Sequence, residues 1–192
     1  MILLTAFAPF GPKGFLSGTN ASEIVLHRVM ALAPKRYHTA VLAAGKAGLA
    51  TYRDLLRMGG WTGLLAMGES GNISSSHVVL EPFAKVRASP GLLPPTPWTG
   101  SEESMFVSTA EAAKKGSRQS IGAYWCNQIY LEALTWAKAH GSVPAAFVHV
   151  PAVLGASIPV YKGRVSALYD RYAAEVIDIL KQMEARSGRH SV

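Results

Sequence analysis

Three apolar runs constrain this chain most. Ile2–Thr5, Leu64–Met67 and Pro144–Val150 are each too short for an independent helix, and none alternates apolar with polar residues. Such runs read as strands buried on both faces. Tyr37–Ala43 reads as another strand, and Val78–Leu80 with Phe83 as a further one, with Glu81 near its end. Helical stretches lie between them. Asn20 has the chemistry of an N-cap, and Glu23 is placed to complete a capping box, ahead of a broad apolar face from Ile24 to Leu32. Ala47–Met58 fits a helix ended by Gly59-Gly60, and Gln128–Ala139 fits another, with Ile129, Leu131, Leu134 and Trp136 facing inwards. Arg164–Ala185 has the clearest helical period, carried by Val165, Leu168, Tyr169, Tyr172, Val176, Ile179, Leu180 and Met183. Buried strands alternating with helices predict an α/β sheet covered on both faces. Ligands of such sheets sit beyond the carboxyl ends of the strands. Glu81, His149 and the Phe7–Phe10 loop fall at or near such ends.

The chain has 192 residues, which suits a single domain over 1–192 with no second core and no repeat. The stretch 88–104 holds Pro90, Pro94, Pro95 and Pro97 and reads as a surface loop, while 186–192 reads as a frayed tail. Charged residues make up only 16%, which argues for a large buried fraction and against disorder. The net charge of +7 raises nucleic acid and anionic membranes as partners. The basic residues are scattered, however, and the densest groups, Lys114-Lys115 with Arg118 and Arg186 with Arg189, lack interleaved aromatics. No nucleic-acid partner is expected. No apolar run reaches the ~18 residues of a membrane span, and Met1–Thr5 lacks the charged start of a signal peptide. The expectation is a soluble, cytoplasmic protein with no membrane contact.

Cys126 is the sole cysteine, so the chain forms no internal disulfide and has too few thiols for a cysteine zinc site. It begins a helix after Gly122-Ala123-Tyr124-Trp125, and a helix N-terminus favours a thiolate. A plain buried cysteine is the competing reading. His149 lies inside an apolar strand, where its ring nitrogens need partners. It fits either a general base or a satisfied core histidine. Glu81 follows Val78-Val79-Leu80; it fits either a carboxylate paired with a histidine or an exposed strand end. Glu69, on the Gly68–Gly71 loop, is an alternative acid, and His77 is the other histidine near this constellation. Dinucleotide, phosphate-loop, zincin and nucleophile-elbow motifs are absent from the sequence.

Four stretches then bear a family resemblance. Ile2-Leu3-Leu4-Thr5-Ala6-Phe7-Ala8-Pro9-Phe10-Gly11, followed by Asn20-Ala21-Ser22, is similar to the opening of the type I pyroglutamyl peptidases. Val79-Leu80-Glu81-Pro82-Phe83-Ala84 resembles their segment with the catalytic glutamate. Gly122-Ala123-Tyr124-Trp125-Cys126-Asn127 resembles their nucleophile segment, and Phe147-Val148-His149-Val150-Pro151 their histidine segment. The order is the family's own, and the matches run from residue 2 to about 151. The chain departs from the pattern at Ala6, where the family has Gly, and at Ala8, where it has an acid. Pro82 stands where an arginine usually follows the glutamate, and Arg87 is a candidate replacement. The loop between Phe10 and Asn20 is longer than usual, and the stretch between Glu81 and Cys126 is shorter.

The resemblance implies a single three-layer αβα domain with a mixed, twisted central sheet, of the phosphorylase/hydrolase-like kind. It implies a cysteine peptidase that removes an N-terminal pyroglutamyl (5-oxoproline) residue from peptides, with Cys126, His149 and Glu81 as catalytic residues and no cofactor or metal. Phe7 and Phe10 resemble the family's pocket aromatics, with Tyr124 and Trp125 as further walls. A homo-oligomer, dimer or tetramer, is also implied. Two other readings stand beside it. One is a peptidyl-tRNA hydrolase-like enzyme, which has similar size, charge and architecture but needs no thiol. The other is a non-catalytic small-molecule binder on the same fold.

Overall fold

A computed structural model describes residues 1–9, 19–70, 77–81, 83–87, 98–103, 125–152 and 162–187. In chain order the elements are β1 (Ile2–Phe7), α1 (Ala21–Leu32), β2 (His38–Leu42), α2 (Lys46–Met58), β3 (Gly63–Ser70), β4 (Val79–Leu80), β5 (Phe83–Arg87), β6 (Trp98–Glu103), α3 (Trp125–Ala139), β7 (Ala145–Pro151) and α4 (Lys162–Ser187). The continuously apolar runs take the centre of a five-stranded sheet of order β2-β1-β3-β7-β4. Strands β2, β1, β3 and β7 are parallel, and β4 lies antiparallel on β7, with Val79 opposite His149. The sheet is therefore mixed.

Successive strand residues point to opposite faces, and two cores result. Leu4, Leu65, Met67 and Val148 pack with Val25 and Val29 of α1 and with Tyr172, Val176 and Leu180 of α4. Leu3, Phe7, Leu64 and Phe147 pack with Tyr52 and Leu56 of α2 and with Ile129, Tyr130 and Leu134 of α3. Helices cover both faces, which is the three-layer arrangement expected. Among the described residues no helix is long and apolar enough to cross a membrane.

Several expectations need correction. The proline-rich stretch does not end as a loop: Trp98–Glu103 forms β6 and pairs antiparallel with β5 in a separate two-stranded sheet. The sequence gives no apolar alternation there, and the strand starts directly after the last proline, Pro97. The remainder of that stretch, 88–97 and 104, lies outside the described residues. Val78–Leu80 and Phe83 do not share one strand; β4 and β5 part at Glu81-Pro82, where proline has no N–H for a ladder. Helix α3 starts at Trp125 rather than Gln128, so Cys126 lies within its first turn. Helix α4 continues through Arg186 to Ser187, and only 188–192 of the expected tail lie outside the described residues.

Candidate active site

The carboxyl ends of β1, β3 and β7 meet the first turns of α1 and α3. On the α1 side, Asn20 is the N-cap: its Oδ1 accepts from the Ser22 N–H at 2.9 Å and from the Ser22 hydroxyl at 2.6 Å. The Ser22 hydroxyl oxygen in turn accepts from the Phe7 N–H at 3.2 Å. Glu23 stands 3.7 Å from the His27 ring instead of closing a capping box. Glu69 Oε2 accepts from the Ala21 N–H at 2.6 Å, so this carboxylate, read as an alternative acid, ties the end of β3 to the start of α1. A carboxylate suits a helix N-terminus, where free N–H groups and the dipole favour negative charge.

On the α3 side, Cys126 and His149 lie on one face of the sheet. Gly68 of β3 is paired in register with His149 of the adjacent β7. A Cβ built on Gly68 would stand 2.8 Å from Cys126 Sγ, so the thiol rests directly against the bare glycine backbone. Neighbouring strands are about 4.8 Å apart, and in-register residues of parallel strands point the same way. Thiol and imidazole thus share one corner of the molecule. The His149 ring meets Phe147 edge-on, with centroids 5.1 Å apart, which fixes its tilt.

Glu81 completes the cluster. It is 2% exposed, and its Oε1 lies 2.6 Å from His149 Nδ1. An ionised carboxylate only accepts, so Nδ1 carries the ring proton and Nε2 is left as an acceptor. The Glu81 main chain is held twice: its N–H donates to the Phe147 carbonyl at 2.9 Å, and its carbonyl accepts from the Tyr130 hydroxyl at 3.1 Å. Glu81 Oε2 has no hydrogen-bond partner among the described residues. Buried charge of this kind is stabilised chiefly by its paired ring.

Burial pushes the Cys126 thiol from its ordinary 9.0 up to about 12; a hydrogen bond to its own backbone opposes this, and the Glu81 charge adds to it. Desolvation thus outweighs the helix N-terminus, the feature that favours a thiolate. In the resting site the thiol is neutral, and a proton must leave it before or as it attacks.

The other expected residues are distributed as follows. Phe7 ends β1, is buried, and belongs to the same core as Cys126 and Phe147. Trp125 opens α3 and packs, partly buried, against that core. Phe10 and Tyr124 lie outside the described residues, as does the Arg87 side chain. His77 is drawn away to α4, where its Nδ1 lies 2.6 Å from Glu175 Oε1. Among the described residues no cluster of three or more His, Cys, Asp or Glu could hold a metal ion. Sequence reasoning missed two contributors. Tyr130 lies one helical turn after Cys126, a spacing that puts both on one face. Gly68 stands at the end of an apolar strand run, where a glycine often marks a close approach.

No protein-family model and no curated protein sequence matches the chain. Solved structures do. Pyrrolidone carboxyl peptidase from Fervidobacterium islandicum superimposes with a TM-score of 0.65 at 21% identity, covering 94% of each chain. The Thermus thermophilus pyrrolidone carboxyl peptidase gives 0.61 at 22% identity, covering 89% of this chain and all of its own. A variant of the Pyrococcus furiosus pyrrolidone carboxyl peptidase gives 0.64 at 15% identity, covering all of this chain and 99% of its own. The chain therefore has the fold of the pyrrolidone carboxyl peptidases.

Proposed function

We propose that this protein is a cysteine peptidase that removes an N-terminal pyroglutamyl residue from peptides, through a thioester acyl-enzyme. The observation that carries the reading is the buried Glu81–His149 pair beside Cys126 at the start of α3. His149 Nε2 accepts the thiol proton while Sγ attacks the amide carbonyl of the pyroglutamyl residue. Glu81 holds the ring in the tautomer that leaves Nε2 free, and its charge stabilises the imidazolium that forms. Burial disfavours the free thiolate, so thiol deprotonation and attack are coupled to one proton transfer. The backbone N–H of Cys126, at the start of α3, serves as the oxyanion donor. Imidazolium then protonates the leaving amine as the C–N bond breaks. Water, deprotonated by the same Nε2, hydrolyses the thioester and frees pyroglutamate and the thiol.

The lactam is small, flat and uncharged, which suits an aromatic slot with few fixed hydrogen bonds. Phe7, Phe10, Tyr124 and Trp125 are its proposed walls. The reading further places the protein in the cytoplasm, where a thiol stays reduced, and assembles it as a dimer or tetramer, a state that light scattering would read. No observation among the described residues favours a peptidyl-tRNA hydrolase-like enzyme or a non-catalytic binder. The decisive experiment is release of a fluorescent amine from a pyroglutamyl amide by wild type and by Cys126→Ala. Turnover that depends on the thiol supports the reading. Turnover that survives the substitution removes Cys126 from its role, and a folded wild type without turnover overturns the substrate assignment.

A further inference from the structure

We propose that Gly68 is a positioning residue, whose missing side chain is the seat of the Cys126 sulfur beside His149. The proposal deepens the peptidase reading and rests on Cys126 as its nucleophile. Gly68 lies in the regular part of β3 and is not among the residues with positive φ, so its backbone conformation does not demand glycine. Space does. A Cβ there would meet Cys126 Sγ at 2.8 Å and Phe147 Cζ at 2.9 Å, well inside the ~3.5–4.0 Å of unstrained contact. Neither atom is the free end of a long side chain. The sulfur sits on a short side chain in the first turn of α3, and the ring is fully buried between Tyr130 and His149.

The register makes the consequence specific. Gly68 is the β3 partner of His149, so any side chain there would occupy the ground the thiol uses to reach the imidazole. To regain the ~3.5–4.0 Å of ordinary contact from 2.8 Å, the sulfur and the methyl group must part by roughly 1 Å. Misplacement on the ångström scale costs on the order of 100-fold in a reaction that depends on near-attack geometry.

The test is Gly68→Ala, read first by iodoacetamide alkylation of the sole thiol across pH, which needs no peptide substrate. The expected result is an alkylation rate and pH profile clearly altered from wild type, with kcat for the pyroglutamyl amide lowered about 100-fold at nearly unchanged KM. An alkylation rate and profile equal to wild type in a folded Gly68→Ala protein would overturn the proposal. Should Gly68→Ala fail to fold, Gly68→Ala combined with Cys126→Ala decides. Recovery of folding when the sulfur is removed shows that the methyl collides with the thiol. A double variant that also fails to fold assigns the glycine to Phe147 packing and overturns the proposal. Wild type that alkylates normally but cleaves no pyroglutamyl amide sinks the substrate reading and leaves the Gly68 comparison intact.

Discussion

The two faces of the central sheet use the same kinds of polar residue in opposite ways. On the α1/α4 face, the polar side chains around the start of α1 are committed to backbone amides. Asn20 takes the Ser22 N–H, Ser22 takes the Phe7 N–H, and Glu69 takes the Ala21 N–H. On the α2/α3 face, Glu81 is committed to the imidazole of His149, with the thiol alongside. A carboxylate bound to an amide fixes a chain segment and has no proton to exchange. A carboxylate bound to a titratable ring sets which nitrogen holds the proton. Glu69 and Glu81 both flank strand ends and look alike in sequence, yet their partners separate a structural clasp from an element of proton transfer.

Substitutions on each face test this division. Glu81→Gln removes the charge that orients and stabilises His149, and kcat for the pyroglutamyl amide should fall on the order of 10³–10⁴-fold. A loss under tenfold in steady-state assays would erase the distinction. Leu4→Ala, in the core of the opposite face, should cost about 3 kcal/mol in denaturant unfolding, with kcat per folded molecule unchanged. Glu69→Ala should cost about 1 kcal/mol of stability through loss of the helix-start contact. Its kcat should stay at the wild-type value, and a pH–rate profile missing one limb would instead assign Glu69 to the chemistry. A remaining effect, of similar size, is alkaline. The folded-state pKa of Cys126 is raised from 9.0 to about 12. Its contribution is therefore fully present below pH 9 and is lost as pH rises towards 12. Wild type should lose about 1 kcal/mol more than Cys126→Ala between pH 8 and 10, a difference that paired urea titrations would read.

Much of this was legible in the sequence because the signals were local. Continuous apolar runs named the central strands, and helical periodicity named α4 to within a few residues. His149 inside an apolar strand demanded a partner, and the sequence offered Glu81 as one. The rest depended on distant neighbours. Trp98–Glu103 is a strand only because β5 lies beside it. Antiparallel β4 spans two residues and carries no periodicity of its own. The neutrality of the thiol follows from how deeply α3 presses it onto the sheet, which its position at a helix start does not reveal. Local chemistry alone did not separate Glu69 from Glu81; the family resemblance favoured Glu81, and register and face give the physical reason.

The double tether of the Glu81 main chain, to the Phe147 carbonyl and the Tyr130 hydroxyl, has an engineering consequence. The acid is anchored to the sheet and to α3 at the residue itself, so its place does not depend on the course of the chain after it. The chain after the acid can therefore be varied without moving the carboxylate, so long as Ala84, buried in the same core as Cys126, is kept.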